Sequence, residues 1–222
     1  MRPGNAQASA AAATPQVPGL QVRGLACRRG GIRLFAPVDF HLAAGELLFV
    51  RGRNGRGKTT LLRAICGLTE PASGEIRFHG DSIRTMDDAR RIALLYIGHR
   101  DALKEELTPL ENLQMHLGLR AVGNIDEDHL LDALEAAGLG ERVDTPVRYL
   151  SQGQRRRTAL ARLLVSQATL WVLDEPLTAL DTDAVAWMAE RINGHLEDGG
   201  MVICTSHQPI QGLHRARTLD LG

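Results

Sequence analysis

Gly52-Arg53-Asn54-Gly55-Arg56-Gly57-Lys58-Thr59 is the stretch that decides the fold of this chain. It fits G-x-x-x-x-G-K-[ST], the pattern of a loop that wraps the phosphates of a nucleotide. Its glycines let backbone N–H groups approach phosphate oxygens without an intervening Cβ. Lys58 supplies a positive charge for the terminal phosphates, and the Thr59 hydroxyl can bind Mg²⁺. The sequence therefore predicts that residues 52–59, together with Thr60, bind a nucleotide.

The surroundings of this loop predict an α/β fold. Residues 46–50 read as a buried strand that enters the loop, and residues 59–66 as a helix that leaves it, so the phosphates would meet a helix N-terminus. Further strands are predicted at 20–27, 38–42, 74–78, 92–97, 170–173 and 201–204. Helices are predicted to begin at Thr108-Pro109, Asp126, Ser151 and Thr182. Strands that alternate with helices indicate a parallel sheet, and the helical stretch from about 100 to 165 is a candidate subdomain.

Composition narrows the class of protein. The chain has 222 residues, 44% of them hydrophobic, and 26 basic residues balance 26 acidic ones. This balance argues against a dominant nucleic-acid surface, so no nucleic-acid partner is expected. Three widely spaced cysteines indicate a reducing compartment, and no stretch approaches the ~20 apolar residues of a membrane span. Residues 1–18 are rich in Ala, Pro and small polar residues and are predicted to be a disordered tail, with residues 19–222 as the folded domain.

Two carboxylates follow the strand at 170–173. Asp174 is predicted to hold Mg²⁺ through a water molecule, and Glu175 to polarise the attacking water as a general base. An acidic helix cap is the plainer interpretation of this pair alone, but the phosphate loop favours catalysis. His207 follows the strand at 201–204 and would lie at the same edge of the sheet as Lys58, where it could polarise the γ-phosphate.

A further candidate binding motif is the segment at residues 150–157, Leu-Ser-Gln-Gly-Gln-Arg-Arg-Arg. Ser151 and Gln154 are spaced as a capping box that opens a helix. The N-terminus of such a helix attracts anions. An ordinary capped helix with basic residues is the alternative interpretation.

Together, and in this order, these segments resemble the nucleotide-binding subunit of an ABC transporter over residues 19–222. The resemblance implies a P-loop NTPase fold, with a RecA-like parallel core, an antiparallel β subdomain and an inserted helical subdomain. It also implies a head-to-tail homodimer in which Ser151, Gly153 and Gln154 of one copy contact the ATP held by Lys58 of the other. The segment 177–181 resembles the loop that crosses this dimer interface in the family. Integral membrane subunits on separate chains are the further implied partners.

Three positions depart from the family pattern. Gln152 stands where the family usually has glycine, and Arg29 stands near the expected aromatic contact with adenine. A planar guanidinium could stack on the base instead. His99 occupies the place of the coupling-loop glutamine, and its imidazole is predicted to meet a water or the Mg²⁺ shell.

Tyr96-Ile97-Gly98-His99, the 150–157 segment and residues 201–209 resemble one subfamily, the cytochrome c biogenesis (haem exporter) ATP-binding proteins. This implies an enzyme that hydrolyses ATP with Mg²⁺ at the cytoplasmic face of the bacterial inner membrane, bound to subunits that handle haem. Direct haem binding by this chain is not expected, because its histidines have no Cys-x-x-Cys-His context.

Other functions remain open from the residues alone. A soluble ABC-type ATPase in cofactor assembly or nucleic-acid maintenance would use the same motifs, but the interval between Lys58 and Ser151 leaves no room for a long coiled coil. A small-molecule kinase would use the phosphate loop and have no use for residues 151–154.

Overall fold

The computed structural model describes residues 19–119, 126–206, 210, 212–213 and 216–222. The predicted tail, residues 1–18, lies outside this range. The strands in chain order are β1 (Leu20–Ala26), β2 (Arg28–Arg29), β3 (Ile32–Arg33), β4 (Val38–Leu42), β5 (Leu47–Arg51), β6 (Ser73–Phe78), β7 (Asp81–Ser82), β8 (Leu94–Ile97), β9 (Leu170–Asp174), β10 (Met201–Thr205) and β11 (Ala216–Asp220).

The helices are α1 (Lys58–Ile65), α2 (Asp88–Arg91), α3 (Pro109–Leu119), α4 (Glu127–Ala136), α5 (Gln152–Val165) and α6 (Thr182–Glu197). Helices α3 to α6 begin at or next to the predicted starts, α1 begins one residue before its predicted start, and α2 was not predicted. A capping box precedes α3, where the Thr108 N–H donates to Glu111 Oε2 at 2.8 Å and the Glu111 N–H to Thr108 Oγ1 at 3.2 Å. Gly138, with φ 74°, follows the end of α4 as the helix stop. Of the helices in the described residues, none has the length and apolar character needed to span a bilayer.

A parallel sheet of five strands places the functional loops. Its order is β11-β5-β10-β9-β8, and every pairing in it is parallel. Thr205 at the end of β10 lies level with Val50 of β5 on one side and with Asp174 of β9 on the other. The phosphate loop after β5 and the carboxylates after β9 therefore lie at the same edge of the sheet.

A second, antiparallel sheet has the order β4-β1-β6-β7. Strand β1 pairs antiparallel with both β4 and β6, and its register shifts after residues 22 and 23. The hairpin of β2 and β3 extends from β1 towards the phosphate loop, where the Leu34 side chain lies next to Gly57.

The side chains of the parallel strands alternate between two hydrophobic clusters. In β9, Leu170 and Val172 pack with α1 and the antiparallel sheet, whereas Trp171 and Leu173 pack with α5 and α6. Strands β5 and β10 divide in the same way. This alternation follows from the two-residue period of a strand and explains why the predicted strands are apolar throughout.

A third hydrophobic cluster joins α3, α4 and the side of α5 that bears Ala161 and Val165. Helix α5 thus contacts both the parallel sheet and the helices inserted before it. The predicted fold class, a parallel core with an antiparallel sheet and an inserted helical part, is confirmed. The division of the chain at about 100 and 165 stays a prediction.

Two of the differences from the sequence interpretation lie in the parallel sheet. Strand β8 begins at Leu94 and not at Ile92, because Ile92 and Ala93 end the turn that follows α2. Strand β11 was not predicted, and its residues are largely exposed at the sheet edge. An exposed edge strand has no apolar run to reveal it.

Candidate nucleotide site

Glycine is required where the phosphate loop passes into α1. Gly57 has φ 92°, and a Cβ there would lie 2.9 Å from Leu34 Cβ. No side chain caps the N-terminus of α1 in the described structure. The first N–H groups of the helix therefore remain available as donors, and together with the helix dipole they form an anion site.

Lys58 lies across this loop. Its Nζ donates to the Gly52 carbonyl oxygen at 2.8 Å. The acceptor is neutral, so the ammonium charge is not cancelled by a carboxylate at this contact. A phosphate oxygen is the stronger partner for such a cation.

Thr59 and Asp174 join the phosphate loop to β9. The Thr59 hydroxyl donates to Asp174 Oδ2 at 2.7 Å, although the two residues are 115 positions apart in the chain. Asp174 is only 2% exposed. Two oxygens at this separation fit adjacent positions around Mg²⁺, where ligands at 2.0–2.1 Å stand roughly 3 Å apart.

Thr205 holds the end of β9 from the neighbouring strand. Its hydroxyl donates to Asp174 Oδ1 at 2.8 Å and accepts the Glu175 N–H at 2.9 Å. Glu175 has φ 51°, in the left-handed region that costs a non-glycine residue about 1–3 kcal/mol. The hydrogen bond from its N–H helps to keep this backbone conformation. The sequence interpretation missed Thr205, and the register between parallel strand ends is the signal that would have found it.

Tyr96 also contacts the acidic end of β9. Burial and then the Asp174 carboxylate raise the pKa of the Tyr96 phenol. The phenol therefore stays protonated at neutral pH and can donate to Asp174.

A cleft of about 310 Å³ brings the predicted residues together. The residues that line it are Arg29, Leu34, Asn54, Gly55, Gly57, Lys58, Thr59, Thr60, His99, Asp174 and Glu175. Both departures at Arg29 and His99 thus lie at the cleft. Gly52, Arg53 and Arg56 belong to the same loop but are not among its lining residues. His207 falls in the gap at 207–209, outside the described residues.

The N-terminus of α5 does not line the cleft of its own chain. Ser151 accepts the Gln154 N–H at 3.2 Å, and Gln154 Oε1 accepts the Ser151 N–H at 2.9 Å, which confirms the capping box. A Cβ on Gly153 would lie 3.0 Å from the Ala179 carbonyl oxygen. The structure therefore places Ser151, Gly153 and Gln154 beside segment 177–181 and not among the residues that line this chain's own cleft.

The comparisons with known proteins agree on one family. The sequence model described as "ABC transporter" matches residues 35–178. The "Cytochrome c biogenesis ATP-binding export protein CcmA" of Dechloromonas aromatica is 53% identical over 86% of this chain and 93% of its own length. The protein of the same name from Nitrosospira multiformis is 49% identical over 88% of this chain and 94% of its own length.

Solved structures show the same fold. The ATP-binding subunit of an ABC transporter has a TM-score of 0.76 and 27% identity, with 85% of this chain and 80% of that chain covered. The bacterial ABC transporter cassette MJ0796 has a TM-score of 0.81 at 24% identity, with 91% and 95% covered. The second likeness supports the fold alone.

Proposed function

The chain belongs to the ABC transporter family, and within it to the cytochrome c biogenesis ATP-binding export proteins, and from this membership we propose that its cleft hydrolyses MgATP for a membrane complex of cytochrome c biogenesis. Within the structure, the single observation that supports the proposal most directly is the contact between the Thr59 hydroxyl and Asp174 Oδ2. It joins the phosphate loop to the end of β9, where Asp174 is followed directly by Glu175.

The phosphate loop binds the triphosphate of ATP. Backbone N–H groups of residues 52–60 and the Lys58 ammonium neutralise its oxygens. Thr59 and Asp174 hold Mg²⁺, which neutralises charge on the phosphates when it is bound with the nucleotide. Arg29 also lines the cleft and supplies a planar cation against which the base stacks.

Glu175 is the general base. Its backbone is held at both sides, since the N–H donates to Thr205 and the carbonyl accepts from Arg156 at 2.8 Å. A carboxylate in this position accepts a proton from the water that attacks the γ-phosphate. His99 lines the same cleft and orients that water, and His207 polarises the γ-phosphate.

A second copy of the chain completes the site. The N-terminus of α5 and segment 177–181 form one surface, because Arg157 Nη2 donates to Asp181 Oδ1 and Oδ2 at 2.7 and 2.6 Å. In a head-to-tail dimer, Ser151, Gly153 and Gln154 bind the γ-phosphate held by the partner copy. Closure of this dimer on ATP and its opening after hydrolysis change the arrangement of the membrane subunits.

The complex lies at the cytoplasmic face of the inner membrane. Its integral subunits are separate chains, and they handle the haem that cytochrome c biogenesis requires. The relatives named for this process favour this assignment over a soluble ATPase of cofactor assembly or nucleic-acid maintenance.

The proposal is tested by isolating the complex through a tag on this chain. We expect integral membrane proteins in the isolate and ATP turnover that Glu175→Gln lowers by about 100-fold or more, because a general base contributes that much. ATP binding should remain, since the phosphate loop is unchanged. Glu190→Gln is the matched control, because Glu190 is exposed on α6. Recovery of soluble partners alone, or wild-type turnover by Glu175→Gln, would contradict the proposal.

A further inference from the structure

Arg156, on α5, binds the backbone of two loops at the cleft. We propose that it is a positioning residue for ATP hydrolysis, which holds Glu175 and the His99 loop in register with helix α5. The inference rests on the proposed role of Glu175 as the general base.

The guanidinium of Arg156 has five N–H donors, and five acceptors surround it. Nε donates to the Pro176 carbonyl at 3.0 Å, Nη1 to the Gly98 carbonyl and Asp101 Oδ1 at 2.9 Å each, and Nη2 to the carbonyls of Asp174 and Glu175 at 3.3 and 2.8 Å. Arg156 is only 3% exposed. Every hydrogen-bonding proton of a buried cation is thus used on two loops at the cleft.

Three of these acceptors are consecutive carbonyls of residues 174–176, where β9 ends and its ladder of hydrogen bonds stops. Glu175 within them has φ 51°, a conformation that persists only where the surroundings hold it. Arg156 fixes the carbonyl side of this residue, and Thr205 fixes the N–H side. The direction of the Glu175 side chain follows from its backbone, so loss of the guanidinium would let the general base move.

The other two acceptors belong to the loop after β8. Gly98 and Asp101 flank His99, which lines the cleft. Arg162, six residues further along α5, donates to the carbonyls of Asp101 and Ala102 at 2.9 and 2.8 Å. Helix α5 therefore binds this loop through two residues, Arg156 and Arg162. Of these two, Arg156 also donates to the end of β9, at Asp174 and Glu175.

Helix α5 begins at the residues proposed to bind the partner's nucleotide. Arg156 lies little more than one turn after Ser151 on the same rigid element. A movement of α5 when ATP binds between the copies would reach Glu175 through Arg156, and the His99 loop through Arg156 and Arg162 together. Arg156 thus gives a direct mechanical connection between one nucleotide site and the other.

A lysine cannot replace this arrangement. Its three donors share one nitrogen, whereas the five acceptors require a planar fork. In the isolated membrane complex we expect Arg156→Lys to lower kcat for ATP by about 10- to 100-fold, because small displacements of a catalytic group have effects of that size. The KM for ATP should stay within about twofold, since the phosphate loop is unchanged.

Arg155→Lys is the matched control. Arg155 lies beside Arg156 on α5 and also donates to backbone carbonyls, those of Leu150 and Arg148, at 3.2 and 2.8 Å. It does not contact residues 174–176 in the described structure, so kcat should stay within about twofold of wild type. Equal losses in the two lysine variants would overturn the inference.

A second measurement separates positioning from a general loss of structure. If Arg156 acts through Glu175, then Arg156→Lys should change the residual turnover of Glu175→Gln by less than about twofold. A full 10- to 100-fold loss in that background would overturn the inference. If Arg156→Lys does not fold, Asp101→Ala replaces it, because it removes only one of the five acceptors, and the same test applies. Wild-type turnover by Glu175→Gln would instead contradict the proposed function itself.

Discussion

A single hydroxyl, that of Thr205, holds the strand end that bears Asp174 and Glu175. It donates to one carboxylate oxygen of Asp174 and accepts the N–H of Glu175, and Thr205 itself is fully buried. Substitution by a residue of the same shape without a hydroxyl would leave both groups without this partner. Buried polar groups in that condition destabilise the folded state.

Thr205→Val should therefore lower the free energy of unfolding by about 1–3 kcal/mol, measured by chemical denaturation. It should also lower kcat for ATP, because both carboxylates lose their positioning contact. Thr205→Ser is the control, since it keeps the hydroxyl and loses only a methyl group. If Val and Ser variants have the same kcat, Thr205 has no positioning role.

At the same scale, residue types in a known pattern were sufficient to find Lys58, Thr59, Asp174 and Glu175. The structure brings all four to one cleft. Thr205 and Arg156 were not found as site residues, because a threonine or an arginine has no signature of its own. Their contacts depend on which carbonyls and carboxylates lie beside them after folding.

Among the elements, those with a hydrophobic period and a capping pattern were predicted closely. Strand β10 ends one residue later than predicted, and α5 begins directly after its predicted cap, Ser151. The hairpin of β2 and β3 and the edge strand β11 were not predicted, since their residues are exposed. Such strands form because neighbouring strands offer hydrogen-bond partners, and the local sequence of a strand does not show which strands will lie beside it.

Helix α6 offers a test of how local contacts decide the effect of one substitution. Gly194 lies inside the helix with open space around a Cβ, whereas a Cβ on Gly200, just beyond the helix, would lie 2.3 Å from His195 Nε2. His195 is fixed by stacking on Trp171, with the ring centroids 3.7 Å apart.

Gly194→Ala should raise the free energy of unfolding by about 0.5–1 kcal/mol, because glycine is a poor helix residue. Gly200→Ala should lower it by about 1–3 kcal/mol, because the His195 ring must leave its stack. Thermal denaturation of the two variants checks the signs. If Gly200→Ala raises the free energy of unfolding as Gly194→Ala does, the contacts at Gly200 do not control stability, and if Gly194→Ala lowers it, the open space at Gly194 does not decide the effect there.

For the whole molecule, the sheet order explains why distant motifs work together. The ends of β5, β10 and β9 are adjacent, so the phosphate loop and the carboxylates form one cleft. The N-terminus of α5 lies elsewhere on the surface, and the account requires a second copy to bring it to the nucleotide. The sequence predicts this arrangement only through the resemblance to a family, because the motifs of one chain do not show which residues of a second copy they contact.

The central claim is that each ATP is bound between Lys58 of one copy and Ser151 of another. The direct test mixes two variants, Lys58→Ala and Ser151→Arg, each of which should have almost no ATP turnover alone. In a random mixture half of the dimers are mixed, and each mixed dimer has one of its two sites intact. The account therefore predicts recovery of about a quarter of the wild-type rate.

The double variant Lys58→Ala/Ser151→Arg is the control, since mixing it with either single variant creates no intact site and should restore nothing. The measurement is phosphate release from MgATP before and after mixing. Recovery in the mixture of single variants alone is the predicted result. If that mixture stays as inactive as its components, the two residues do not act on the same nucleotide from different copies, and the central claim is wrong.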